Sequence, residues 1–383
     1  MHIERGNPQD GDAPARPRIG RRALLSAGAV LAAGAGAATA TAFGRDPAAP
    51  PAAPAAAVPH HGARQSGLAY RQLPATRLLA LDLPADASRD TLRGLLAGID
   101  KVLAAASAGA LADPRLSGTA PVSSLAAVGT ALAARLKLDL PAELADLPAF
   151  PGDRLDPARS GGDLILQVSA EQPWTVGVLT EHLLTAARSA GAAVRWSQAG
   201  FLPPVPDGET PRNLFGFKDG TANPDAADPG LWHADGTILV YRRIRMDTAA
   251  FTALPTGGQE LAMGRRLTTG APLTGTAERD DPDIYAKHPD GSYIIPATSH
   301  VRLSSPRLDG GARMLRRGYS YDDGPDDRGL LFCAFMRDPA LFTRVQNRLA
   351  EKDALTPFLT HNGSAVAWVL PGSRPDRPLG ATL

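Results

Sequence analysis

Between residues 77 and 197, short apolar runs alternate with one-sided helical patterns, and this alternation restricts the fold more than any other feature of the chain. Arg77–Leu83 has the composition of a strand. Leu92, Leu95, Leu96, Ile99, Val102 and Leu103 then fall on one helical face, with Ser88 or Asp90 placed to cap it. Pro141, Pro148, Pro151 and Pro157 break any long element across 113–162, and a strand is expected somewhere in 119–130. Leu164–Val168 forms the next strand, Val176, Leu179, Leu183 and Ala187 mark a second helix, and Ala193–Ser197 a closing strand. The order β-α-β-β-α-β is ferredoxin-like.

The second half repeats that order, although not the sequence. Thr237–Met246 reads as a strand and Thr248–Leu254 as a short helix. Strands are expected at Ser299–Leu303 and Gly329–Met336. Asp338-Pro339 then opens a helix with Leu341, Phe342, Val345 and Leu349 facing inward, and Ser364–Leu370 closes the sheet. The expected fold class is α+β: two ferredoxin-like (βαββαβ) domains, residues 67–205 and 206–383, with packed antiparallel sheets. A chain of 383 residues is long enough for two such cores.

Residues 1–42 read as an export signal. Gly20-Arg21-Arg22-Ala23-Leu24-Leu25 precedes an alanine-rich run that ends in the small-x-small sites Ala38-Thr39-Ala40 and Ala40-Thr41-Ala42. The paired arginines suggest the twin-arginine pathway, and hence an extracellular or periplasmic mature protein. The run is too poor in leucine for a stable membrane span. Residues 43–66 are rich in Pro and Ala and read as a linker, in which His60-His61 is expected to be solvated. The 40 Lys+Arg nearly balance the 39 Asp+Glu, which argues against a nucleic-acid partner. The 1 cysteine excludes an intramolecular disulfide, and Cys333, mid-strand in an apolar run, reads as a buried structural thiol.

Few residues remain for chemistry. No phosphate-binding glycine loop and no zinc-type histidine pair is present. Gly216-Phe217-Lys218-Asp219-Gly220-Thr221-Ala222-Asn223-Pro224 is a turn-rich run that can present Asp219 at a fixed position. His300, at the lip of an apolar segment, can be held by packing as an axial haem ligand must be, or can be a hydrogen-bonded core histidine. In Met314-Leu315-Arg316-Arg317-Gly318-Tyr319, at least one guanidinium is expected to turn inward toward an anionic partner. Asp219, a haem propionate, a developing oxyanion, or one of Asp322, Asp323, Asp326 and Asp327 would each serve.

Taken together, Asp219 in Gly-Phe-Lys-Asp-Gly, His300 in His-Val-Arg-Leu and Arg316 in Met-Leu-Arg-Arg-Gly resemble the dye-decolourising peroxidases. The likeness is greatest to the exported subgroup that includes the deferrochelatase/peroxidases of iron uptake operons. It extends over Leu147–Asp153, Ser160–Leu164, Val194–Gln198, Thr210–Leu214 and Phe335–Pro339. The resemblance implies haem b in the C-terminal domain, with His300 as proximal iron ligand and Asp219 and Arg316 on the distal side. It implies that Gly220, Thr221 and Ala222 line the haem and that Ser305, Pro306 and Arg307 meet its edge, Arg307 near a propionate. Relatives often have Asn where this chain has Ser305. Hydrogen peroxide and small aromatic reductants would be the substrates, and a homodimer or larger assembly the form. Asp219 would be the acid–base and Arg316 the charge stabiliser. Trp196, Trp232, Trp368, Tyr319 and Tyr321 are candidates to relay electrons from bulky dyes. Two other readings stay open: release of iron from haem with the porphyrin intact, and a non-catalytic haem-binding component of an iron uptake system.

Overall fold

Two modules, each with four sheet positions in the order 4-1-3-2, complete one another at their edges. The computed structural model describes residues 58–116, 121–205 and 209–383; the expected export signal and residues 43–57 of the linker lie outside them. After a first helical turn, α1 (Ser66–Ala69), the first module runs β1 (Ala75–Asp82), α2 (Arg89–Ser107), β2 (Val122–Gly129), α3 (Thr130–Arg135), β3 (Leu164–Ala170), α4 (Pro173–Ser189) and β4 (Ala193–Phe201). The second runs β5 (Thr237–Met246), α5 (Thr248–Thr252), α6 (Thr256–Met263), α7 (His300–Leu303), β6 (Leu315–Arg316), β7 (Tyr319–Asp322), β8 (Arg328–Met336), α8 (Ala340–Lys352) and β9 (Leu359–Val369). All strand pairs are antiparallel, as expected for this α+β fold.

The edges of the modules meet. Val128 pairs with Trp368 where β2 meets β9, and Phe201 pairs with Ser320 where β4 meets β7. With β5 also paired to β8, the nine strands form a single closed sheet. Closure removes the free edges that would otherwise invite aggregation.

Strand alternation divides the apolar residues into two layers. Leu78, Ala80, Leu125, Ile165 and Trp196 face inward against Leu239, Tyr241, Cys333, Ala365 and Ala367. Trp196 stacks on Tyr241 with ring centroids 4.9 Å apart. Cys333 is sealed here, and burial pushes its thiol pKa up to about 12, which makes it inert at ordinary pH. Leu79, Leu81, Leu166 and Val168 face outward and are covered by the apolar faces of α2 and α4. Ser88 caps α2 through a reciprocal pair with Thr91.

Two expectations change. The strand expected at Ser299–Leu303 is the helical turn α7. The sheet position beside β8 is taken by β6 and β7, so 299–303 has no strand to pair with. Pro296 and Pro306 bracket it, and Leu303 N–H donates instead to Ser299 O (3.1 Å). Of the His60-His61 pair, His60 is not solvated as expected, whereas His61 stays exposed. His60 Nε2 lies 2.7 Å from Asp100 Oδ1 on α2, and His61 Nδ1 lies 3.1 Å from Ser373 Oγ. Backbone bonds from Gly62 to Ser373 and from Gly372 to Ala63 fix this segment to the body.

The polar end of the closed sheet carries its own test. Arg243 on β5 is fully buried; it bonds Asp323 and Asp327 at 2.8 and 2.9 Å and Gln198 and Asn362 at 2.9 and 3.0 Å, which ties strands of both modules together. Arg243→Met should lower stability by about 2 kcal/mol, toward the small end for a broken buried pair because both aspartates remain partly open to water. A urea midpoint unchanged from wild type would show that the network does not join the modules. No described helix is long and apolar enough to cross a membrane.

Candidate active site

His300 is the first residue of α7, following the buried Ser299, whose hydroxyl donates to Leu261 O (2.5 Å). Its Nδ1 lies 2.6 Å from Asp353 Oδ2. The Asp353 side chain is only 2% exposed and accepts from Leu355 N–H with its other oxygen. Asp353 ends α8, so the histidine is oriented by the meeting of two helix termini. Burial disfavours the imidazolium, but the charge and hydrogen bond of Asp353 outweigh it, and the His300 pKa is raised. With Nδ1–H committed to Asp353, Nε2 is the nitrogen left to bind something else. The histidine side chain is 28% open.

A second anchor holds this turn. Asp309, at the end of the 3₁₀ turn Pro306–Asp309, bonds Arg348 on α8 (2.5 Å) and Arg344 (3.2 Å), while Arg348 Nε donates to Leu303 O. Burial alone would raise the Asp309 pKa, but the two guanidinium groups hold it below the usual range. A depressed folded-state pKa stabilises the fold above the unfolded value, ~3.9, and that stability is lost as pH falls through the folded value. Asp309→Asn should therefore be less heat-stable than wild type at neutral pH, and the gap should close below about pH 4. A gap that stays constant across pH would contradict the assignment.

Asp219 lies in the loop that follows β4. Its N–H donates to Pro211 O, and Gly216 and Gly220 adopt φ of +85° and +114°, conformations that glycine tolerates. The neighbours on either side are tied down. Phe217 is buried beside Phe251, and Lys218 pairs with Glu278 at 2.5 Å. Asp219 is left facing Arg316, with Oδ1 3.5 Å from Nη1 and both side chains about one-third exposed. Asn223 sets the spacing: its amide donates to Arg316 O (2.7 Å) and accepts from Arg316 N–H (3.0 Å). The loop and β6 are thereby locked together. Of the two adjacent arginines, Arg316 faces the site and Arg317 bonds backbone oxygens of Gly67 and Leu68 on α1. The acids at 323 and 327 are taken by Arg243, not by Arg316.

Asp219 and Arg316 act electrostatically on His300, so the three expected residues are brought together. Gly220, Thr221 and Ala222 continue the Asp219 loop. Ser305, buried, and Pro306 follow the His300 turn, and Ser305 Oγ accepts from Arg307 N–H. The Arg307 side chain pairs with the exposed Asp281 (2.5 Å) and does not join Arg316. Asp353 and Asn223 are the additions to the expected set. Neither had a sequence signal, because each acts through a partner 53 or 93 positions away.

Family models give this arrangement a context. One described as Dyp-type peroxidase, N-terminal, matches residues 65–202, and one described as Dyp-type peroxidase, C-terminal, matches residues 210–374. The chain belongs to the Dyp-type peroxidase family. Among its relatives, the dye-decolorizing peroxidase of Thermobifida fusca is 44% identical over 270 residues, covering 63% of this chain and 62% of that one. A deferrochelatase of Yersinia pseudotuberculosis is 35% identical over 259 residues, 61% of this chain and 59% of the other. These matches thus span under two-thirds of the relatives' length. The crystal structure of a DyP-type peroxidase from Cellulomonas bogoriensis superposes with a TM-score of 0.80 at 36% identity, over 85% of this chain and 98% of that one.

Dyp-type peroxidases bind haem, and the residues here suit one. Among the described residues no group of three or more His, Cys, Asp or Glu side chains is arranged to hold a bare metal ion. A histidine with one nitrogen fixed by a buried carboxylate suits instead an iron whose remaining donors come with its cofactor.

Proposed function

We propose that this chain is a haem b peroxidase that reduces hydrogen peroxide and oxidises dye-like or phenolic substrates. The observation that carries the proposal is the Asp219–Arg316 pair within electrostatic reach of a histidine backed by Asp353. His300 Nε2 would hold the iron, and Gly220, Thr221, Ala222, Ser305, Pro306 and Arg307 would border the macrocycle. Haem, when bound, supplies a redox iron that takes oxidising equivalents from peroxide and passes them to a reductant. Peroxide must lose a proton from one oxygen and gain one on the other before its O–O bond can part to give water. Asp219 as carboxylate takes the first proton and returns it to the second oxygen. Arg316, held by Asn223, stays beside it as a fixed positive charge for the negative charge that develops. Asp353 keeps His300 in one tautomer and strengthens it as a donor.

The test is the absorption spectrum of the purified protein, before and after one equivalent of peroxide, together with peroxide-dependent oxidation of an anthraquinone dye. A protein that gains no Soret band with added haemin would overturn the reading. The relatives named deferrochelatase support a second reading, iron release with the porphyrin intact. Anaerobic incubation of haem-loaded protein with a ferrous chelator decides it: recovery of free porphyrin supports release, and intact haem excludes it. Export by the twin-arginine pathway and assembly into a homodimer or larger complete the proposal. Cell fractionation of a tagged chain and light scattering test these two points.

A further inference from the structure

The stretch from Arg64 to Gln72 precedes β1, yet it grips both segments that carry the Asp219–Arg316 pair. At its near end, Arg64 Nη1 donates to Ala226 O (2.7 Å), and the guanidinium lies over the Trp232 ring, 3.9 Å from the centroid. Trp232 Nε1 donates to the same carbonyl (2.9 Å). Ala226 follows Asn223 by three residues, in the loop that carries Asp219. At the far end the grip passes to the strand side. Arg317 donates to the carbonyl oxygens of Gly67 and Leu68 (3.1 Å each) and of Tyr70, and Gln72 Nε2 donates to Gly318 O (2.7 Å). Arg317 and Gly318 directly follow Arg316. Among the described residues Arg317 has no carboxylate partner, so its side chain is committed to the carbonyls of this stretch alone.

The stretch is itself fixed. Gln65, 4% exposed, accepts from Ala126 N–H (2.7 Å) and donates to Ala126 O and Leu370 O (2.8 Å each). Ser66 Oγ accepts from Ser124 N–H (2.9 Å). The Asp219 loop and the Arg316 strand are thereby referred to one base, β2. The pair needs such a base. Its atoms are 3.5 Å apart and both side chains are partly open to water, so their attraction contributes on the order of 1 kcal/mol or less and cannot set the spacing alone. Asn223 ties the two backbones together at one point. A misplacement of about 1 Å is enough to cost a reaction much of its rate. We propose that residues 64–72 are a positioning strap that sets the spacing of Asp219 and Arg316 from behind, with Arg64 and Arg317 as its two grips. The proposal rests on the peroxidase reading given above, and both arginines act through backbone oxygens, away from the reacting atoms.

The experiment is stopped-flow mixing of haem-loaded protein with peroxide. Arg317→Met should keep its Soret band and react on the order of tenfold more slowly than wild type. Arg317→Lys, which can reach only part of the same set of oxygens, should recover part of the rate. In an Arg316→Leu background, Arg317→Met should change the rate little, because the charge that it positions is gone. A loss of general stability would slow both backgrounds alike. Arg64→Met should also slow the reaction, and that effect should disappear in an Asp219→Asn background; this pair carries the test if Arg317→Met does not fold. Equal slowing in both backgrounds, or wild-type rates in both single variants, would overturn the proposal while leaving the peroxidase reading intact. A haem-loaded wild type that does not react with peroxide would instead remove the peroxidase reading.

Discussion

Asp219→Asn should leave the Soret band in place and slow peroxide-dependent dye oxidation by about 100-fold or more. Asparagine preserves the shape of the loop, because the Asp219 N–H bond to Pro211 O and the two left-handed glycines do not involve the carboxylate. What is lost is the ability to carry a proton between the two peroxide oxygens. Stopped-flow mixing with peroxide is the decisive measurement, since it sees the first reaction without the reductant. Arg316→Leu should slow the same step through loss of charge. Its loop should stay in register, because Asn223 grips the Arg316 backbone and not its side chain. If either variant reacts with peroxide at the wild-type rate, the proton-shuttle assignment fails, whatever the steady-state dye activity does.

His300→Ala should abolish haem retention, and Asp353→Asn should weaken it by about 10- to 100-fold. The second substitution is the more discriminating. Asparagine can still accept from Nδ1–H but carries no charge, so the imidazole becomes a poorer donor while its orientation survives. A more strongly donating histidine favours the ferric over the ferrous state, so Asp353→Asn should also raise the reduction potential. Haem content on purification and a spectroelectrochemical titration measure the two effects. A variant with full haem content and an unchanged potential would show that Asp353 only positions the α8 terminus, where it also accepts from Leu355 N–H.

Elements with long periodic patterns were legible in the sequence. β5 runs Thr237–Met246 as its apolar run suggests, and the leucine face of α2 is buried as its spacing requires. Ser299–Leu303 was misread because a four- or five-residue apolar run has no period that separates strand from turn. Only the pairing of β6 and β7 with β8 settles it. Asp219, His300 and Arg316 could be picked out because each sits in a compact local context that limits its alternatives. Asp353 and Asn223 could not, since their roles exist only across the fold. His60 is the converse: its setting of Pro and Ala looks unstructured, yet Asp100 reaches it from the middle of α2.

The closed sheet has a further consequence for how the molecule could be taken apart. β2 and β4 are the outer strands of the first module, and β9 and β7 are their mates in the second. A chain cut in the stretch between β4 and β5 would yield two pieces, each with two exposed backbone rims shaped to accept the other. Such fragments would be poor soluble proteins singly but natural candidates for complementation when co-expressed. All the residues argued to face the haem fall in the second piece. Spectral recovery on mixing would then report reassembly of the sheet itself, without any label having been attached.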